Sequence, residues 1–302
     1  MLCSTKPFRT GQTNNFSSKS HNNYFRKTVH FPERKLIVLI FCLLSHKSFG
    51  GNDNYPSGAR EAGMANASVT LTDLWSNFHN QAGLAWLDAF TIGIHYENRY
   101  MVDQYALRSF ALAIPTSGGT IGASYSVFGY TKYNESKTGL AFGKSFGEKL
   151  AAGIQMDYLH VHIDGEYGNS DALTMEAGIV AKPVTNLFVG AHVYNPVRAK
   201  YNRFTDEPIP TVLQVGLGYY FSDDLVVCVE SEKDLDREML VNVGSEYHLV
   251  KSVYLRAGLS TSRISSYSFG AGFVFKGLKI DLAFSDHSIL GLTPHISMSY
   301  SF

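Results

Sequence analysis

From Phe90 to the C-terminus the dominant spacing of apolar residues is two, the period of strands that turn one apolar face to their surroundings. The last segment is the clearest: Ile296, Met298, Tyr300 and Phe302 alternate with His295, Ser297, Ser299 and Ser301. The same period runs through Phe90/Ile92/Ile94/Tyr96, Leu150/Ala152/Ile154/Met156/Tyr158, Met175/Ala177/Ile179/Ala181 and Leu213/Val215/Leu217/Tyr219/Phe221. Comparable rows start at Leu187, Leu225, Met239, Val253, Tyr267 and Leu278. Tyr105 to Ile114 is apolar on both faces apart from Arg108, and Thr120 to Tyr130 and Tyr133 to Ser145 alternate only in part. Together these segments predict about fourteen strands.

The opposite faces carry His95, Glu97, Arg108, Gln155, Asp157, Glu176, His192, Gln214, Glu230, Asn242, Glu246, Arg256, Lys279, Asp281 and His295. A soluble barrel turns its apolar face inward, whereas a membrane barrel turns it to lipid and keeps a polar lumen. Alternation does not separate the two, but the connections do. Counted from a first strand at Ala89, the even ones are short: Thr116 to Gly119, Phe146 to Lys149, Pro183 to Asn186, Ser222 to Asp224, Leu249 to Lys251 and Lys276-Gly277. The odd ones tend to be longer: Asn98 to Gln104, Ile163 to Ser170, Asn195 to Pro210, Glu232 to Arg237 and Ser285 to Gly291. Short turns on one side and longer loops on the other are the outer-membrane pattern. The expected fold is all-β, a 14-stranded antiparallel transmembrane β-barrel in the bacterial outer membrane, with both mature termini in the periplasm. A soluble lipocalin-like or sandwich protein is the alternative.

Composition agrees: 45% of residues are hydrophobic and 17% charged, yet no apolar run approaches the length of a helical span. Arg34-Lys35, the apolar run Leu36 to Leu44 and the small-residue stretch Ser45 to Gly50 have the three parts of a secretory signal. Residues 1–50 therefore read as a signal peptide with an over-long N-terminal extension, residues 51–88 as a segment ahead of the barrel, and 89–302 as the barrel. A short membrane anchor or buried strand is the competing reading of Leu36 to Leu44. Cleavage near Gly50 or Gly51 removes eight basic residues and one acid, leaving eighteen basic against twenty-five acidic residues. A mildly acidic body speaks against nucleic acid as a partner. Cys228 is then the remaining cysteine, so no intramolecular disulfide forms.

Ahead of the first strand lie Ser57-Gly-Ala-Arg-Glu-Ala-Gly-Met-Ala-Asn-Ala-Ser-Val69 and Asp73-Leu-Trp-Ser-Asn-Phe-His-Asn-Gln-Ala-Gly-Leu84. They resemble the N-terminal segment of the PorV/PorQ-like branch of the FadL (long-chain fatty-acid transporter) superfamily of outer-membrane proteins. There the second stretch ends in Asn-Pro-Ala-Gly-Leu; Asn80, Ala82, Gly83 and Leu84 match, and Gln81 replaces the Pro. Ala113 to Gly122, Phe128 to Glu135 and Val193-Tyr-Asn-Pro-Val197 extend the resemblance over most of 57–302. It implies a 14-stranded barrel whose N-terminal segment folds inward as a small plug. The residues agree, since Leu74, Trp75, Phe78, Leu84 and Trp86 among small residues suit short amphipathic helices. Gly216/Gly218 and Gly270/Gly272 on inward rows leave room inside or, alternatively, bend the strands.

No catalytic, phosphate-binding or metal-binding motif is present: neither G-x-S-x-G, H-E-x-x-H, a P-loop nor a helix-capping G-x-G-x-x-G. No enzyme activity, metal site or cofactor is expected, and Asp286-His287-Ser288 reads as a solvated loop. Asp164, Glu166 and Asp171 are candidates for calcium with lipopolysaccharide phosphates, against a plain polar hairpin. Arg108, Asp157, Glu176, Glu230, Glu246, Arg256, Lys279 and Asp281 form an expected lumen network, since buried charges need partners. Arg198, Lys200, Tyr201, Arg203 and Phe204 form a basic and aromatic loop suited to protein or lipopolysaccharide contact. Ile296, Met298, Tyr300 and Phe302 suit a C-terminal signal for the barrel-assembly machinery.

Two functions remain open at this point. One is passage of small hydrophobic molecules across the outer membrane, which calls for an apolar pocket and a strand kink, with Gly118, Gly119 and Gly122 as candidates for the kink. The other is a non-transporting partner barrel in a type IX secretion or surface-assembly complex of Bacteroidota-like bacteria.

Overall fold

The computed structural model describes residues 54–165, 168–202, 209–261 and 265–302. The expected signal peptide lies outside them. Fourteen strands form one closed antiparallel barrel: β1 (Thr91–Asn98), β2 (Ala106–Thr116), β3 (Gly119–Tyr130), β4 (Tyr133–Ser145), β5 (Leu150–Ile163), β6 (Gly168–Val184), β7 (Leu187–Tyr194), β8 (Val212–Ser222), β9 (Leu225–Asp234), β10 (Leu240–Val250), β11 (Val253–Thr261), β12 (Ser266–Phe275), β13 (Leu278–His287) and β14 (Gly291–Ser301). Each strand pairs with its neighbours in sequence, and β1 closes on β14 from Thr91↔Ser301 to Glu97↔His295. Closure leaves no unpaired edge, which a chain in hydrocarbon cannot tolerate.

The even connections are tight. Lys276-Gly277 joins β12 to β13 with φ of 48° and 84°, the left-handed pair of a type I′ hairpin turn, which is why a glycine stands second. The odd connections vary more: 99–105 and 195–211 are long, whereas β3 passes to β4 through Thr131-Lys132 alone and β13 to β14 through Ser288 to Leu290.

Side-chain burial fixes which face is which. Leu140, Met156 and Leu217 are 50–66% exposed on the outer surface, whereas Gln155, Glu176 and Gln214 on the alternate face are at most 7% exposed. An apolar exterior around a polar interior is the arrangement of a membrane barrel. Ile296, Met298, Tyr300 and Phe302 belong to that exterior. The Phe302 ring lies 5.1 Å from Phe90, tilted, and 4.8 Å from Tyr300, edge to face, an aromatic cluster at the short-turn end.

Residues 54–88 lie inside the barrel. They comprise α1 (Ala59–Gly63), α2 (Ser76–His79) and a 3₁₀ helix (Gln81–Trp86). Helix α1 packs on β11–β14 and the 3₁₀ helix on β3–β6, so the segment crosses from one wall to the other. It also runs from end to end. Tyr55 stacks on Phe128 beside the β3–β4 turn, and Trp86 lies against Phe188 beside the β6–β7 turn. Asn54 and Tyr55, the first described residues, sit at the longer-loop end, opposite Phe302, and the expected mature start at Gly50 or Gly51 lies outside the described residues. From there the described segment descends the lumen to β1.

Candidate lumen site

The inner segment fits because the wall gives way to it. An ideal Cβ at Gly153 would lie 2.3 Å from Gln81 C and 2.4 Å from Ala82 N; at Gly258, 2.4 Å from Ala65 N; at Gly216, 2.7 Å from Val69 Cγ1. Gly270 meets the Cα of Gly63 at 3.2 Å from the same construction. Gly153, Gly258 and Gly270 therefore serve close approach of two backbones, and Gly216 makes room for a side chain. Gly122 makes room for the Asn77 and Leu84 side chains, Ser117-Gly118 form the β2–β3 turn, and Gly119 opens β3. Within β3 the positive φ values fall at Gly119, 144°, which sequence named, and at Gly129, 103°, which it did not. β3 stays paired with β4 through Gly129↔Asn134.

The family-like motif has a local reason. Asn80 caps the 3₁₀ helix by accepting from Ala82 N–H at 3.2 Å and donates through Nδ2 to Val69 O at 2.8 Å. A Cβ on Gly83 would lie 2.5 Å from Leu71 O, so the turn back over that carbonyl needs glycine. Leu74, Trp75, Phe78 and Leu84 form a buried cluster with Ala111, Ala113 and Ala141 of the wall. Ala82 packs against Ala151 and Val180 with Trp86 beside it. Gln81, where the family has Pro, donates through Nε2 to Glu176 Oε2 at 2.7 Å.

Two polar networks fasten the segment. On one wall Arg60 Nη2 meets Glu246 Oε1 at 2.7 Å and its Nη1 meets Asp73 Oδ2 at 2.8 Å. Glu246 Oε2 accepts from Arg256 Nε at 2.6 Å, Arg256 Nη1 reaches Asp281 Oδ1 at 2.8 Å, and Lys279 lies 3.9 Å from Asp281. On the other wall Glu176 takes Lys137 Nζ at 3.0 Å and His192 Nε2 at 2.9 Å. Gln155 bridges Asp157 and Glu176, and Gln214 links His192 to Glu230. Glu230 Oε2 accepts the backbone N–H of both Ser68 and Val69 at 2.8 Å. Buried charges so compensated hold one register; removing one partner of such a pair costs about 3–5 kcal/mol.

Within the segment, burial and the neighbouring Asp73 carboxylate raise the Glu61 carboxyl well above the usual range. His79 donates Nε2–H to Ser57 O at 2.8 Å, which leaves Nδ1 to accept from Ser68 Oγ, also at 2.8 Å. Burial lowers its pKa to about 4, so the imidazole is neutral.

The structure gathers Asp157, Glu176, Glu230, Glu246, Arg256, Lys279 and Asp281 inside the lumen and excludes Arg108. That guanidinium projects outward on β2, 6.0 Å over the Tyr96 ring on the neighbouring strand. β2 is apolar on both faces, so one charge could not set its parity; near the longer-loop end an outward Arg reaches the interface. Arg60, Asp73, Gln81 and Lys137 were not expected there. The first three precede the strands, and Lys137 stands where β4 alternates only in part.

The expected contact loop also divides. Arg198 and Lys200 are exposed, Arg203 and Phe204 lie outside the described residues, and Tyr201 is buried with Tyr194, Leu159, Ile209 and Val212. An aromatic ring next to an open barrel wall packs down on it. Asp171 is held by Tyr158 Oη and His160 Nδ1, each at 2.6 Å. Ser288 donates to Ser265 O rather than to His287. Glu166 is outside the described residues.

At the longer-loop end the lumen opens into a cavity of about 330 Å³. Its lining includes Tyr55, Phe78, Arg99, Glu232, Asp234 and Asn242, a mixed and largely polar wall.

No family profile matches the chain, and no curated protein sequence does. Solved structures do. The toluene transporter TodX of P. putida is 14% identical with a TM-score of 0.67, over 83% of this chain and 99% of that one. The toluene transporter TbuX of Ralstonia pickettii is 12% identical with a TM-score of 0.61, over 81% and 98%. A Pseudomonas aeruginosa FadL homologue is 14% identical with a TM-score of 0.61, over 82% and 98%. At these identities the likeness is one of fold, and it covers nearly the whole of each of those chains. The 14-stranded barrel described above thus has the fold found in the FadL-type channels.

Proposed function

We propose that the protein is an outer-membrane channel for small hydrophobic molecules, with residues 54–88 as the plug that keeps its lumen closed. The observation that carries this reading is the inner segment seated wall to wall in a closed barrel of the fold shared with toluene transporters. Phe302 and the short turns would face the periplasm, and the 330 Å³ cavity would face outward. Expression in a bacterium whose own FadL-type channels are deleted tests it with radiolabelled toluene as the probe. Uptake should rise above that of cells carrying an unrelated barrel of similar abundance. Equal uptake would refute the proposal.

A second reading, the PorV/PorQ-like partner barrel, is favoured by the polar lining of the mouth and the ion-paired lumen. On that reading toluene uptake is unchanged, and a protein partner co-purifies from native outer membrane in fixed ratio. Exposed Arg198 and Lys200 would then contribute to the docking loop or to lipopolysaccharide contact.

A further inference from the structure

We propose that His95, Glu97 and His295 form a binding site for a borderline divalent transition-metal cation, Zn²⁺ by chemistry, at the seam where the barrel closes. β1 and β14 bring the three together: Glu97 and His295 are directly paired across the seam, and His95 lies two residues from Glu97 on the same inward face. His95 Nε2 is 3.9 Å and His295 Nδ1 is 3.6 Å from Glu97 Oε2, and one donor atom from each residue falls within 4.8 Å of the others. Ligand bonds of about 2.0–2.2 Å in tetrahedral geometry put donors roughly 3.3–3.5 Å apart. Small side-chain shifts close that gap.

The polar atoms have no other use. Both ring nitrogens of His95 and Nδ1 of His295 are buried without a hydrogen-bond partner, in side chains 1% and 8% exposed. Buried polar atoms in native proteins are nearly always satisfied, and unpaired ones ask for a missing ion or water. One cation can take a single nitrogen from each imidazole together with Glu97 Oε2. The surroundings suit one. Arg99 holds Glu97 through Oε1, and Oε2 is the oxygen turned to the two imidazoles. Ser285 Oγ lies 2.9 Å from His295 Nε2, the outer bond that orients a ligating imidazole. The Trp75 ring meets His95 edge-on at 5.8 Å from the lumen side. Beyond Glu97 and His295 a cavity of about 150 Å³ opens toward the longer-loop end, with room for water at a fourth position. Two imidazoles and one carboxylate select Zn²⁺, Co²⁺, Ni²⁺ or Fe²⁺ over Mg²⁺ and Ca²⁺, which want oxygen donors. A bound cation would tie the first strand to the last, and the site does not depend on the transport reading.

The test uses the full barrel in detergent, stripped with chelator and titrated with Zn²⁺ against a chromogenic chelator. One equivalent should bind, with a rise in thermal stability. His95→Gln and His295→Gln should each weaken it by at least about tenfold, and Ser285→Ala by about 10–100-fold. Absence of stoichiometric binding, or binding that survives the double His95→Gln/His295→Gln variant, overturns the proposal. Should the variants not fold, X-ray absorption on the Zn²⁺-loaded wild type decides: two imidazoles and a carboxylate support the site, and a shell without imidazole refutes it.

Discussion

A side chain placed at Gly153 should drive the inner segment from its seat without disturbing the barrel. The residue faces inward on β5, and any Cβ there overlaps the backbone at Gln81 and Ala82, at 2.3 and 2.4 Å. Backbone cannot swing aside as a long side chain can, so Gly153→Val should destabilise the seated segment by roughly 1–3 kcal/mol. Gly258→Val acts at the opposite wall, against Met64 C and Ala65 N at 2.5 and 2.4 Å. The two sites share no partner, so the double variant should lose roughly 2–6 kcal/mol. Ala152→Val, on the outer face of β5, is the control and should stay within about 0.5 kcal/mol. The chain's two tryptophans, Trp75 and Trp86, both belong to the segment, so intrinsic emission reports the segment alone. Heat-modifiable migration reports the barrel. The double variant should show red-shifted emission and raised conductance in planar bilayers, approaching the level reached by deleting residues 55–84. A folded double variant with wild-type emission and wild-type conductance would refute the packing argument.

Leu217→Arg and Phe273→Arg place charge on the outer surface, where the native side chains are 50% and 46% exposed. Each should weaken assembly by about 2–4 kcal/mol near the midplane. Gln214→Arg faces Glu230 and Glu232 in the lumen and should be far better tolerated in a urea-refolding assay. Deleting Phe302, or Phe302→Asp, removes the partner of Phe90 and Tyr300 and should lower the yield of heat-modifiable barrel in the membrane. His79 binds its proton at about 4 when seated, against 6.5 ordinarily. The released chain therefore holds more protons between those values, so the seat weakens as pH falls from 6.5 toward 4 and is indifferent above that window, by up to roughly 3 kcal/mol. Tryptophan emission against pH measures this, and His79→Gln should flatten the profile.

The barrel was legible because lipid imposes one rule on every strand. An outward residue must be apolar, so Leu217 and Phe273 declare their face from period two alone. The rule weakens where the lumen is also apolar. Leu107, Ala111 and Ala113 are buried on the inner face of β2, the two alanines against the Leu74–Trp75–Phe78 cluster. Arg108 was then the one charged mark, and it misled, because the mouth of a barrel admits charge on its outer side. The inner segment was legible only in part. Its apolar residues and Asn80-x-Ala-Gly-Leu84 marked it as something other than strand, but a closing charge pair such as Arg60–Glu246 spans 186 residues, and neither member alone names the other.

The glycines carry the strongest argument that segment and barrel were shaped together. Taken alone, Gly153, Gly178, Gly216, Gly244 and Gly258 are weak points in strands, since glycine packs no side chain and loses most entropy on ordering. Each faces the segment so closely that a Cβ would come within 2.0–2.7 Å of it. Had they served only to bend strands, their inward side would meet open lumen. The His95–Glu97–His295 cluster follows the same logic of distant residues meeting through closure. His95-x-Glu97 is two residues of β1, and His295 joins it only because the fourteenth strand returns to the first. No spacing rule within the chain could have found it.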